Sequence, residues 1–192
     1  MSVEMYTYVP LVDESLIPRW LAGLRNLGMD CEMHPEITLG SHSGFLPFKI
    51  RVHDSAHDEL NGVEFLSGFE YYAEDFSLDV ETKNSQPEVS GFARLFGKKQ
   101  APQPFATIEL DAKLKQCRKL LTFSWGSADL FELRLATVSS AVLAEITGGV
   151  SCYPADDIWY DRPATDALVE AVAYENSLSS KDFKVHRFER WL

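Results

Sequence analysis

The chain has 192 residues, 45% of them hydrophobic and 24% charged, with 29 acidic side chains against 18 basic and a formal net charge of -11. That apolar content excludes a disordered chain, and the length favours one core over two. The acidic excess argues against a general nucleic-acid binder, which needs a surplus of Lys and Arg to neutralise phosphates.

In chain order, Tyr6, Tyr8 and Val9 read as a short strand. Asp13 is placed to cap a helix over 13–27, with Pro18 in its first turn, Gly28 as its stop and an apolar stripe of Leu16, Ile17, Trp20, Leu21, Leu24 and Leu27. Met29, Cys31 and Met33 alternate with Asp30, Glu32 and His34, the pattern of a half-buried strand. A polar loop over 40–44 leads to a strand over 45–52, and Asn61-Gly62 marks a tight turn before a strand over 63–76. The order suggests a helix followed by a meander.

Residues 83–104 carry Pro87, Pro102, Pro104, Gly91 and Gly97 with no sustained period, so a long internal loop is expected, with one apolar island over 92–96. Residues 108–118 alternate like a strand at first yet are rich in helix formers, and the helical reading is preferred. A buried strand over 120–125 and a turn at Gly126-Ser127 precede a helix over 129–146, with Asp129 and Glu132 as a capping pair and Gly148-Gly149 as the stop. Apart from the capping Asp129, only Glu132, Arg134 and Glu145 are charged in that helix, so it is expected to be largely buried. A strand over 150–153, an acidic and aromatic loop over 154–162 and a last helix over 163–178 follow; Phe183, Val185, Phe188, Trp191 and Leu192 make a tail too apolar to be loose in water.

No run approaches the roughly 18 apolar residues of a membrane span, and Met1-Ser2-Val3-Glu4 lacks the basic flank and apolar run of an export signal, so a cytoplasmic protein is expected. Cys31, Cys117 and Cys152 are odd in number and far apart, which suits reduced thiols and gives no metal spacing.

Residues that could carry chemistry are few. His34, His42, His53 and His57 fall close together, and the i, i+4 spacing of His53 and His57 would put two imidazoles on one face of a helix. Asp54, Ser55, Asp58, Asn61 and Gly62 make that stretch a turn instead, so solvated loop histidines are the preferred reading and no metal or cofactor is expected. No G-x-S-x-G occurs; Ser127 lacks the second glycine and is better placed to help cap a helix. Gly148-Gly149 follows a helix, where phosphate-binding glycines precede one.

Two segments interleave carboxylates with aromatic rings: Glu70, Tyr72, Glu74 and Asp75 in one, Asp156, Asp157, Trp159, Tyr160 and Asp161 in the other. Rigid rings supply contact area and acids complement a basic partner, so these residues are the candidate partner-binding surface. The charge is unevenly placed. Residues 1–60, 61–82 and 121–180 carry -5, -6 and -7, against +5 over 83–120 and +2 over 181–192. Such a field steers a cationic protein and repels nucleic acid.

Leu121-Thr-Phe-Ser-Trp125, Glu132, the small-residue run over 136–144 and Leu143-Ala-Glu-Ile-Thr-Gly-Gly-Val150 together resemble a group of small bacterial immunity proteins that neutralise toxins of type VI secretion and other polymorphic toxin systems. The resemblance covers about residues 119–161 and departs from those proteins at Ser127, where they tend to have a second glycine, and around Trp159, where their turn is simpler. It implies a cytoplasmic inhibitor without catalytic residues, and no functional residue carries over one for one.

The expected fold is a single α/β or α+β domain over 1–192, a mixed or mainly antiparallel sheet of about five or six strands packed by a central buried helix and two others. The expected function is non-enzymatic binding of a basic toxin or effector domain, without nucleic acid, membrane or cofactor. The rival is a small hydrolase or metal-dependent enzyme using His34, His42, His53 and His57. A third reading is an adaptor docking through the 92–96 island.

Overall fold

Period-two alternation in the apolar segments builds one sheet, and period-3.6 stripes lay helices on it. The computed structural model describes residues 3–55, 57–85, 104–126, 129–178 and 184–191. Its strands are β1 (Val3–Val9), β2 (Met29–Met33), β3 (Gly44–Val52), β4 (Glu64–Asp75), β5 (Lys119–Trp125), β6 (Val150–Tyr153), β7 (Ile158–Tyr160) and β8 (His186–Arg187). The helices are α1 (Leu16–Asn26), α2 (Leu78–Ser85), α3 (Ile108–Leu114), α4 (Leu130–Thr147) and α5 (Ala164–Ser177). The strands pair antiparallel in the order β2-β3-β4-β5-β1-β6-β7, and β8 pairs with the start of β4.

Helices α1 and α4 cover one face of this sheet, and α5 packs against α4. Towards them point Met5 and Val9 of β1, Leu46, Phe48, Ile50 and Val52 of β3, Phe65, Phe69 and Tyr71 of β4, and Leu121, Phe123 and Trp125 of β5. Trp20 and Leu24 of α1 and ten side chains of α4 are buried there, so α4 is the central helix that its composition predicts. Arg134, in the middle of α4, is buried with its charge paired to Glu175 and Asp54. A smaller core lies on the opposite face, where Phe76, Leu78, Leu114 and Cys117 close over Tyr8, Val150 and Cys152.

The antiparallel α+β architecture agrees with the sequence reading, with four local differences. The sheet has more strands than expected because β7 forms inside the segment read as an acidic loop and the tail adds β8. Helix α1 starts at Leu16; the Asp13 carboxylate instead accepts from the Ser15 backbone N–H in a turn just before it. Residues 83–85, assigned to the long loop, end α2. The remainder of that loop, including the 92–96 island, lies outside the described residues apart from Pro104. Glu132 does not complete a capping box: Asp129 accepts from the Phe131 N–H, whereas Glu132 reaches out to the Gly126 N–H. The described part of the tail is docked, with the Phe188 N–H donating to the Glu64 carbonyl at 2.9 Å and the Lys49 ammonium 5.5 Å over the Phe188 ring, whereas Phe183 and Leu192 lie outside the described residues.

Candidate functional site

The alternation that buries Phe69, Tyr71 and Phe123 sends their neighbours to the other face of the sheet. Register then decides which of those neighbours meet. Tyr72 of β4 stands opposite Thr122 of β5, Thr122 opposite Tyr6 of β1, Tyr6 opposite Cys152 of β6, and Cys152 opposite Trp159 of β7. One row therefore joins both acid-and-aromatic segments across five strands, a span of about 19 Å at the usual inter-strand spacing. The row before it runs Phe45, Glu70, Ser124, Glu4. The row after it places Glu74 opposite Leu120, and Leu120 opposite Tyr8.

At the β6-β7 end this face is closed. Trp159 stacks on Tyr8 with ring centroids 5.5 Å apart, meets Phe105 edge-on at 5.5 Å and donates from Nε1 to Asp157 Oδ1 at 2.8 Å. At the β4-β5-β1 end it is open: Phe45 and Tyr72 are 44% and 38% exposed, and Glu4, Tyr6 and Glu70 are half-buried. Phe45 lies flat there because Gly68 has no side chain; a Cβ on Gly68 would come within 2.6 Å of the Phe45 ring. Tyr72 donates to Glu70 at 3.3 Å and Tyr6 to Glu4 at 3.4 Å. The carboxylates set the local field. Glu70, with a smaller effect of Glu4, pushes the Tyr72 phenol up from its ordinary value, and burial followed by Glu4 does the same for Tyr6.

Of the residues singled out from sequence, Glu70, Tyr72 and Glu74 stand on this open face, and Trp159 stands at its closed end. Asp75 and Tyr160 have the opposite parity: Asp75 pairs with Lys119 at 2.7 Å, and Tyr160 lines a cavity under α4 and α5. Asp156 and Asp157 occupy the exposed turn between β6 and β7, and Asp161 is held by Lys113 at 2.6 and 2.7 Å. Glu4, Tyr6 and Phe45 were not anticipated. The acid-and-aromatic alternation of Glu4, Tyr6 and Tyr8 in β1 was the available signal.

The histidines go to separate places. His34 meets Trp191 edge-on at 5.2 Å, His42 stacks near Tyr71 and contacts the Phe45 carbonyl at 2.9 Å, and His53 faces Asp30 at 3.4 Å. His57 precedes a short 3-10 turn over Asp58–Leu60, so its spacing from His53 is not helical. Among the described residues, no three His, Cys, Asp or Glu side chains are grouped to hold a metal ion. Neither a protein-family model, nor a curated protein, nor a solved structure matches the chain.

Proposed function

We propose that the protein is a non-enzymatic binder of a cationic protein domain, which it engages through the open face built from Glu4, Tyr6, Phe45, Glu70, Tyr72 and Glu74. The observation that supports this reading most is the joining of rings and carboxylates in adjacent register rows of one rigid sheet. Rings fixed on a sheet offer contact area at little entropic cost, and the carboxylates beside them attract Lys and Arg and take part in cation-π contacts. The acidic field of residues 1–82 and 121–180 adds steering over longer range. The specific form we favour is an immunity protein that covers the working surface of a bacterial toxin, in keeping with the resemblance over 119–161.

Co-purification with the product of the adjacent gene tests the reading, because an immunity gene sits beside the gene of its toxin. The wild-type chain should form a complex whose association slows as salt is raised. A Glu70→Lys, Tyr72→Ala variant should fold normally and lose the complex. Failure of the wild type to bind any neighbour-encoded protein, or equal binding by the variant, would remove the proposal.

A further inference from the structure

Helices α4 and α5 face each other through alanines, Ala141 and Ala144 on one and Ala167 and Ala171 on the other. Protein interiors are otherwise filled to the density of organic crystals. Here the short side chains leave a partly open cavity of about 210 Å³ between the two helices and the sheet. Met5 and Ser151 floor it, and Tyr160, Arg162 and Tyr174 stand around it. An apolar cavity of about 150 Å³ accommodates benzene, so this one has room for a further fused ring.

Its polar groups define what else the occupant must carry. Arg162 donates from both Nη atoms to the two oxygens of Glu170 at 2.6 Å each, so the charges at the rim neutralise one another. The Thr137 hydroxyl is spent on the Leu133 carbonyl at 2.8 Å. Beneath, Thr7, Ser140 and Ser151 form a buried triangle of hydroxyls with sides of 2.7, 3.0 and 3.4 Å. Each hydroxyl brings one proton and two lone pairs, and the Ser140 carbonyl adds another acceptor 3.3 Å from Ser151. The protons have partners within the cluster, and the surplus is acceptor capacity. Ser151 is the member of the triangle that lines the cavity.

We propose that this cavity is a binding site for an uncharged, indole-sized aromatic molecule whose single N–H or O–H donor is accepted by Ser151. The site lies on the helix-covered face of the sheet and is independent of the open acidic face. A charged ligand is disfavoured, since it must displace Arg162 from Glu170 or leave its own charge unpaired.

Titrations of the whole chain with indole, 1-methylindole and indole-3-acetate, followed by amide NMR and calorimetry, test the site. Indole should bind saturably and shift amides of α4 and α5 around the four alanines. 1-Methylindole, which has no donor, should bind at least about tenfold more weakly, one lost hydrogen bond being about 1.4 kcal/mol, and indole-3-acetate, which keeps the N–H, should bind more weakly because its carboxylate is left unpaired. Ala141→Leu should fill the space and abolish indole binding. Ser151→Ala should bring indole and 1-methylindole to equal affinity, which keeps the proposal testable if the leucine variant fails to fold. Indole binding weaker than about 1 mM, equal affinity of the wild type for indole and its N-methyl analogue, or unchanged binding by a folded Ala141→Leu variant would each overturn it.

Discussion

Arg134 of α4 donates from Nε and Nη2 to the two carboxylate oxygens of Glu175 in α5, at 2.8 and 2.6 Å, with the two side chains 1% and 3% exposed. Its Nη1 donates to Asp54, after β3, at 2.6 Å. One guanidinium therefore ties the central helix to the last helix and to the meander.

Removing Glu175 leaves the buried Arg134 guanidinium with the half-exposed Asp54 to offset its charge. Glu175→Ala should lower the unfolding free energy by about 3–5 kcal/mol, read from urea denaturation. Arg134→Met combined with Glu175→Leu removes both charges and should lie well above the single variant. A single variant as stable as wild type would show that water reaches this pair.

Asp129 caps α4 from a mostly buried position, and burial pushes its carboxyl above the ordinary value despite the bonds from Phe131 N–H and Ser67. The folded state then keeps the proton to higher pH than the unfolded chain does. The associated stability is full below the unfolded value of about 3.9 and is lost as pH rises through the folded value. Asn caps about as well as Asp and carries no charge. Asp129→Asn should therefore raise Tm relative to wild type more at pH 7 than at pH 4. A difference that is constant or larger at pH 4 would refute the direction of the shift.

Burial pushes the thiols of Cys31 and Cys152 up to about 12 and that of Cys117 up to about 11. Little thiolate exists at pH 8, and thiolate is the reactive form. An aromatic disulfide reagent should leave all three unmodified in the native protein and titrate all three in denaturant. Rapid reaction of one thiol in the folded state would contradict its burial.

Gly68 is set by contact rather than by torsion. A methyl group there would collide with the Leu46 carbonyl oxygen and displace the Phe45 ring. Gly68→Ala should destabilise by about 1–3 kcal/mol, the usual cost of overpacking, and should weaken partner binding beyond what lost stability explains. Phe45→Ala should leave stability close to wild type and reproduce the binding defect. Denaturation and partner titration of both variants separate the two effects.

Much of the fold was legible because apolar spacing is a local property. Met29, Cys31 and Met33 announce β2, and the Leu16, Trp20 and Leu24 stripe announces α1, without reference to any other segment. β7 was hidden because three residues, Ile158, Trp159 and Tyr160, are too short to show a period. The two-residue β8 has no period at all and exists through its pairing with Phe65 and Leu66.

The site divides the same way. Sequence alone established the acidic balance and its placement, the absence of a recognisable nucleophile motif, and the alternation that puts Glu70, Tyr72 and Glu74 on one side of a strand. Tertiary structure decided that Tyr6 and Glu4, more than sixty residues earlier in the chain, complete that surface, because only cross-strand register carries β1 to β5 and β5 to β4. It also separated Tyr160 from the group, because the parity of that residue follows only once β7 is paired with β6. Strand parity is written in the sequence, whereas the neighbour across each strand is chosen by long-range packing of the whole sheet.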